Sequence, residues 1–345
     1  MTGKPAQSKR RRDRRYRAAD RIRLACAAVS LSLWAFLTAL YALRPAGWDP
    51  ITIWPFHVWA WPGLVFALAS LTGRAKRRSW LVAGMWILAV GLLTEEPRAL
   101  LRSVAHRGEE AWQAARSEGR ALRVVSLNCK SSLAAVEEAL AQNADIVLLQ
   151  ERPSLDEFDE LVEAGGDWEM AAAFDTAVLV RGELKALPTS PEQKVFVCPA
   201  RVRPSRLPEQ ELIVASVHLP QPALRRTLWR RATWQRAERI RRRRAGYMGD
   251  LAALAAEHVG ATATVFGGDF NTPGGDSLFR PLRAHLRDAF EQAGVGWPDT
   301  FLNEAPLSRI DQVWISPQLE ATTLRAVRTQ NSDHRMVVCE VLVRR

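Results

Sequence analysis

Residues 24–43, LACAAVSLSLWAFLTALYAL, are twenty consecutive positions without a charge. At ~1.5 Å of helical rise per residue, that length matches the ~30 Å hydrocarbon core of a bilayer. The preceding stretch KRRRDRRYRAADRIR is strongly basic, and two further uncharged runs follow, 51–72 and 80–94, the last only fifteen residues long. Trp48, Trp54, Trp59, Trp61, Trp80 and Trp86 lie in or beside these runs, several near their ends, where an interfacial aromatic belt places them. Pro55 and Pro62 would break a soluble helix but are tolerated in a membrane helix. A cleaved signal peptide fits the first run poorly, because the run is too long and no A-x-A site follows it. A buried hairpin is the competing account of the other two runs. The expectation is three transmembrane helices.

The flanking charges set an orientation. The N-terminal flank and the loop GRAKRR between the second and third runs are basic, whereas the loop RPAGWDP between the first and second carries one Arg and one Asp. The positive-inside rule puts the first two in the cytoplasm, and three crossings then put everything after residue 95 outside it. Charge is segregated in the same way. Residues 1–23 hold ten Lys/Arg against two Asp, residues 24–99 six against three, and residues 100–345 thirty-two against thirty-two. The net charge of +11 therefore belongs to the N-terminal third and by itself gives no reason to infer a nucleic-acid binder. Cys26, Cys129, Cys198 and Cys339 have no zinc-site spacing and read as buried thiols.

Beyond a polar helical stretch at 101–120, short β-branched runs alternate with helical segments. Strands are expected at 122–128, 145–150, 176–181, 211–219, 262–269, 310–316 and 336–343, and helices at 132–142, 223–258 and 276–293. This is an α/β pattern. Its polar residues fall at strand ends: Asn128, Glu151, His218, Asp269, Asn271, Asp311, Asp333 and His334. Rigid strands hold side chains over an open crevice there. Carboxylate, amide and imidazole groups in that arrangement suit metal-assisted hydrolysis at phosphorus. Mg²⁺ needs only one or two protein carboxylates, here Glu151 with Asn128 or Asp333. An imidazole oriented by a carboxylate, His334 with Asp311, serves attack by water, and His218 can bind phosphate or protonate the leaving oxygen. A zinc hydrolase is disfavoured, since no His pair has i, i+4 spacing.

These residues resemble the endonuclease/exonuclease/phosphatase superfamily, over about residues 121–345. The resemblance rests on SLN (126–128), DIVLLQE (145–151), SVHLP (216–220), GGDFNTP (267–273), RIDQVWIS (309–316) and SDH (332–334), in that order. It implies a four-layer α/β/β/α sandwich, two packed mixed sheets with helices outside, and a divalent metal, Mg²⁺ or alternatively Mn²⁺, at the sheet ends. It also implies that Glu151 and Asn128 are metal ligands, with Asp333 a metal or neighbouring position. Asp269 and Asn271 would hold the attacking water and the phosphate. His334 with Asp311 would be the catalytic pair, and His218 would contact the scissile phosphate. Whether Asp269 or His334 is the base stays open. Two features depart from the abasic-site repair branch: no tyrosine lies between the Glu and DFN motifs, and the 151–218 segment is short.

Residues 225–244, RRTLWRRATWQRAERIRRRR, hold ten arginines and one Glu. Trp229, Ala237, Ile240, Tyr247, Leu251 and Leu254 share one stripe at helical spacing, with Thr233 and Arg244 filling its gaps, so one amphipathic helix is expected. Arg244, on the apolar stripe, is expected to reach an anion near the cleft as a substrate-binding residue. The other arginines form a solvated face, a face on anionic lipid head groups or a contact to nucleic-acid backbone.

Together these readings describe a basic tail (1–23), a transmembrane region (24–95), a linker (96–120) and a catalytic domain (121–345). The expected function is that of a membrane-anchored, Mg²⁺-dependent phosphodiesterase, extracytoplasmic and acting on nucleic acid. Hydrolysis of phospholipid or inositol-phosphate head groups is the alternative, and an inactive scaffold the remote one. The expected partners are a phosphoester substrate and the lipid bilayer.

Overall fold

The computed structural model describes residues 5–70, 76–222 and 227–344. The chain forms two compact units, one of Met1–Pro45 with Trp54–Pro97, the other of Ala46–Ile53 with Arg98–Arg345.

The first unit is helical. Helix α1 spans Pro5–Leu43; after the single turn α2 (Asp49–Thr52, part of the second unit) come α3 (Phe56–Ala69) and α4 (Lys76–Leu93). The three long helices touch through small and polar residues. Ser30 Oγ donates to Gly63 O (2.7 Å), Trp86 Nε1 donates to Ser30 Oγ (3.0 Å), and Trp34 Nε1 donates to Met85 O (3.0 Å). A Cβ on Gly63 would lie 1.9 Å from the Trp86 ring, so only glycine permits that approach. Their outward faces are apolar and uncovered: Leu43, Trp61, Val65, Leu81, Ile87 and Leu88 are each more than half exposed. Among the described residues, one helix, over Tyr16–Leu43, is by itself long and apolar enough to cross a membrane. The second uncharged run yields only the 14 residues of α3. The reason is local: Pro55, at φ −59° and ψ 145°, is extended and separates α2 from α3.

The second unit is built on eleven strands, β1 (Ala121–Asn128), β2 (Ile146–Gln150), β3 (Trp168–Ala172), β4 (Thr176–Ala186), β5 (Val197–Pro204), β6 (Leu212–His218), β7 (Ala263–Asp269), β8 (Arg287–Asp288), β9 (Asp311–Ile315), β10 (Leu319–Val327) and β11 (Met336–Val343). They follow the order β10-β11-β1-β2-β4-β5-β6-β7-β9-β8, with β3 also on β4. The two packed sheets that the resemblance implies are the halves of one continuous, curled mixed sheet. The cause is the eleven-residue β4, whose first half (176–180) pairs with β2 and whose second half (182–186) pairs with β5. Gly182 sits between the halves at φ 143°, and a Cβ there would meet Arg203 O at 2.3 Å.

Alternation along the strands sends neighbouring residues to opposite faces. Leu122, Val124, Ile146 and Leu148 meet Val214, Val265, Val313 and Ile315 of the other half in one inner cluster. Val125, Leu127, Val147 and Leu149 face outward under α7 (Leu133–Leu140) and α8 (Leu155–Ala164), packing with Val136 and Phe158. On the other outer face α9 (Arg231–His258) lays Met248, Leu251 and Ala255 on Val217, Phe266 and Trp314. Gln150 Nε2 donates to Ser216 Oγ (2.9 Å), tying the two halves together directly beneath the strand ends.

Three local expectations change. The helix expected over 223–258 begins at Arg231, and 223–226 lie outside the described residues. Trp229 precedes the helix and is 79% exposed instead of joining its apolar stripe. The helix expected over 276–293 is a short 3-10 turn, α10 (Arg280–Arg283), β8 and α11 (Ala289–Ala293). Asp276 and Asp288 each cap a new turn by accepting from Leu278 N and Phe290 N, and the chain restarts at each cap. In the stretch expected to be a linker, α5 (Glu96–Val104) and α6 (Gly108–Ser117) form. Trp112 of α6 is buried against Ala115 and Ala121, with Arg116 and Arg123 on its ring faces.

Candidate active site

Strand register assembles the site. His218 pairs with Asp269 across β6–β7, and Asp269 pairs with Asp311 across β7–β9, so three adjacent strands present these residues side by side. From the facing half, Asn128 ends β1, opposite Gln150, and Glu151 follows β2. The halves therefore meet over a row of polar side chains.

Asp269 is the centre. It is 1% exposed. Its Oδ1 accepts from Asn271 N (2.8 Å), and its Oδ2 accepts from Asn271 Nδ2 (3.2 Å) and Asn128 Nδ2 (3.3 Å). Two imidazoles approach the same oxygen, His218 Nε2 at 3.8 Å and His334 Nε2 at 3.9 Å. Both gaps exceed a hydrogen bond. Each imidazole is oriented from behind: His334 Nδ1 donates to Asp311 Oδ2 (2.9 Å) and His218 Nδ1 donates to Asp175 Oδ2 (2.7 Å). An ionised carboxylate only accepts, so each ring's proton is fixed on Nδ1 and Nε2 faces the cleft. Glu151 Oε1 accepts from Asn128 Nδ2 (2.9 Å) and lies 3.9 Å from His218 Nε2.

Two of these residues hold the backbone in the left-handed region, Glu151 at φ 45° and Asn271 at φ 48°. For a glutamate this costs roughly 1–2 kcal/mol, strain that functional sites commonly store. Ser332 Oγ donates to Asn128 O (2.6 Å) and accepts from His334 N (3.0 Å), joining β1 to the loop that carries His334. Asn303 Nδ2 donates to Thr329 O and Ser332 O, bracing the same loop from below.

Charges follow from burial and proximity. Burial pushes Asp269 up to about 6, reinforced by Asp311 and opposed by His334 and His218. Burial alone would depress His334, but the charge and hydrogen bond of Asp311, with Asp269 and Asp333 nearby, outweigh it and lift the imidazole to about 10. His218 behaves alike: its burial is overcome by Asp175, Asp269 and Glu151, and its pKa is raised.

Asn128, Glu151, His218, Asp269, Asn271, Asp311 and His334 thus lie together. Asp333 points elsewhere, its side chain ion-paired with Lys130 Nζ at 3.1 Å. Arg244 is the clearer departure. It is 4% exposed, and its Nη2 donates to Phe270 O (3.0 Å), Asn271 O (2.7 Å) and Thr272 Oγ1. Burial lowers its pKa to about 10. The guanidinium clamps the turn that carries Asp269 and Asn271; its place on the buried stripe of α9 puts it beneath that turn. Sequence reasoning missed Asp175, whose only signal is a carboxylate immediately before the run TAVLVR.

The donor set suits a hard cation. Glu151 offers a half-exposed carboxylate beside Asp269, and oxygen donors of this kind match a strongly hydrated divalent ion. The Asn128 amide turns its nitrogen toward both carboxylates, so its oxygen joins the set only after the amide rotates. Asp269, Asp311 and His334 also present ligating atoms within 4.8 Å of one another, but the Asp311–His334 hydrogen bond already occupies one face of that group.

No curated protein sequence matches the chain. Its fold is similar to that of an endonuclease/exonuclease/phosphatase from Bacteroides vulgatus, at 14% identity and a TM-score of 0.50, covering 65% of this chain and 99% of that one. Truncated Caenorhabditis elegans TDP2 gives 18% and 0.49, covering 65% and 98%, and the mannosyl-6-phosphatase of Bacteroides thetaiotaomicron 14% and 0.47, covering 64% and 99%. At such identity the first likeness speaks to the fold, and none speaks to the substrate. The sequence model of the Endonuclease/Exonuclease/phosphatase family matches residues 125–334, from the strand that ends in Asn128 to His334 itself, and the chain belongs to that family.

Proposed function

We propose that this protein is a membrane-anchored, divalent-metal-dependent phosphodiesterase that hydrolyses its substrate by attack of water on phosphorus. The observation that carries this is the convergence of two carboxylate-oriented imidazoles on one buried carboxylate, beside the Glu151 donor. Asp269, near 6, is matched to take a proton from water at neutral pH. His334, held protonated by Asp311, keeps a positive charge beside the phosphoryl oxygens as negative charge builds there. His218, its Nδ1 proton held by Asp175, faces the same space from the opposite side and donates from Nε2 to the leaving oxygen or to phosphate. Asn271, with its backbone N–H and amide on Asp269, fixes the orientation of that carboxylate. Glu151 and, after rotation, Asn128 would hold Mg²⁺ or Mn²⁺, which neutralises charge on the non-bridging oxygens. Arg244 positions the 269–272 turn from beneath.

Membrane anchoring is supported by α1, of whose most apolar window only 22% is buried, and by the exposed apolar faces of α3 and α4. A soluble core helix buries such a face. Residues 46–53, between α1 and α3, pack within the catalytic unit. That loop and the catalytic unit then share one side of the bilayer, and the chain between Ile53 and Arg98 crosses an even number of times. With the basic N-terminus in the cytoplasm, the catalytic unit is extracytoplasmic.

The test uses the purified full chain with Mg²⁺ and the His334→Ala variant as a blank. Supercoiled plasmid and mixed phospholipid vesicles are assayed in parallel. Nicking that disappears in the variant assigns nucleic acid as substrate, and head-group release without nicking assigns phospholipid. Equal activity of variant and wild type would overturn the site.

A further inference from the structure

The first half of α9 carries a strongly basic outer face. Arg231, Arg236, Arg239, Arg242 and Arg243 are exposed there with Glu238 as the single acid. Arg242 pairs with Glu238, and Arg243 Nε donates to Tyr247 Oη (2.7 Å). Among the described residues, Arg231, Arg236 and Arg239 make no ion pair. Trp229 stands just ahead of the helix, 79% exposed. The exposed acids Asp250 and Glu257 lie only in the second half, so charge is segregated along the helix.

The other side of that same half-helix receives the loop between the first two apolar helices. The Trp48 ring meets Trp234 edge-on at 5.7 Å and 84°. Arg241 pairs with Asp49, and its Nη2 also donates to Asp276 Oδ1 (3.0 Å) and Ser277 Oγ (2.7 Å), at the end of the loop that begins with Asp269. Trp48 follows the end of α1 by five residues, and Ile53 precedes α3 by three. Even fully extended, five residues reach only ~18 Å. The loop packed on this half of α9 is therefore joined to α1 and α3 by short connections.

We propose that the Arg231–Arg243 face of α9, with Trp229 at its edge, docks on the anionic lipid head groups of the bilayer that anchors the chain. This rests on the membrane-anchored function proposed above. Charge complementarity favours an anionic surface, an exposed tryptophan suits the head-group level, and the loop keeps the helix there. Arg241 joins the docked helix to the 269–277 loop, so docking holds the mouth of the site at the bilayer surface. A nucleic-acid backbone would suit the arginines alone, but would leave unexplained why their helix is fastened to the interspan loop.

The experiment reconstitutes the full chain, carrying Cys26→Ser and an environment-sensitive dye on Gln235→Cys, into nanodiscs of phosphatidylcholine alone or with 30% phosphatidylglycerol. Gln235 is exposed between Arg231 and Arg239 on this face. The expected result is a dye shift in anionic discs that fades as salt rises. Arg231→Gln, Arg236→Gln and Arg239→Gln together should weaken it by roughly a hundredfold, at about fivefold per arginine, while hydrolysis of a short soluble phosphodiester stays unchanged. An identical signal in both lipids overturns the proposal, as does a shift produced by a short DNA duplex but not by phosphatidylglycerol. Flotation with phosphatidylcholine vesicles tests the anchor separately. A chain that fails to float yet shifts with anionic lipid keeps the docking face and refutes the anchor.

Discussion

Gly267 and Gly268 precede Asp269 in β7, and the same substitution at the two positions is expected to have very different consequences. A Cβ on Gly268 would fall 1.9 Å from Val217 O and 2.8 Å from Val217 N and C, all backbone of the neighbouring β6. That is more than an ångström inside ordinary contact, and no side-chain rotation relieves it. Gly268 also stands at φ 149°, a conformation essentially reserved for glycine, which adds roughly 1–3 kcal/mol to the roughly 1–3 kcal/mol of overpacking. About 4 kcal/mol in all is a large share of the ~5–15 kcal/mol typical of a folded domain. At roughly 2–4 °C per kcal/mol, Gly268→Ala should lower the melting temperature by about 8–16 °C. Because Val217 and Gly268 are register partners next to His218 and Asp269, parting the strands also displaces the 3.8 Å approach of imidazole to carboxylate. A shift of ~1 Å costs about a hundredfold in rate. A Cβ on Gly267 instead meets Leu148 Cδ1 at 2.7 Å, the far end of a flexible side chain, and an adjusted rotamer should hold the cost to about 1 kcal/mol. Thermal unfolding and metal-dependent phosphodiester hydrolysis of both variants decide the matter. Equal effects, or a fully active Gly268→Ala, would refute the geometry.

Other outcomes follow from the site. Glu151→Gln should abolish turnover and weaken Mg²⁺ binding, measured by calorimetry, while leaving the circular dichroism spectrum intact. Asp175→Asn should release the His218 ring and lower kcat by roughly a hundredfold, with a lowered His218 pKa by NMR; an unchanged pKa would remove Asp175 from the site. Activity should rise with pH through about 6 as Asp269 loses its proton and fall toward about 10 as His334 loses its own; Asp269→Asn should erase the rate and with it the acid limb. In the metal-free protein the raised His334 pKa contributes stability that is complete below ~6.5 and lost as pH rises through about 10, so wild type should melt progressively lower across that window while His334→Gln does not.

The long apolar strands were legible because burial on both faces or regular alternation marks them: β1, β2, β4, β6, β7, β9 and β11 all fall where periodicity placed them. β5, VCPARVRP, was hidden by its two prolines and two arginines, and β10, LEATTLRAV, by its polar edge character. The site residues at strand ends were legible because chain order and register coincide there. Asp175 was not, since its role depends on the residue before β4 meeting the end of β6 across the curled sheet, a long-range contact no local pattern records. Arg244 was placed correctly on the buried stripe, but a buried arginine on carbonyls and one on a phosphate look alike in sequence. The union of residues 46–53 with the catalytic unit was also invisible, because those residues lie before two apolar helices that separate them from it in sequence.

Hydrolysis of thymidine 5′-(p-nitrophenyl) phosphate in ¹⁸O-labelled water with Mg²⁺ follows the oxygen that water delivers to phosphorus at this set of residues. One ¹⁸O in the nucleotide phosphate and none in the p-nitrophenol, with both products absent for His334→Ala, is the expected result. Label in the phenol, or release that persists in His334→Ala, would contradict it.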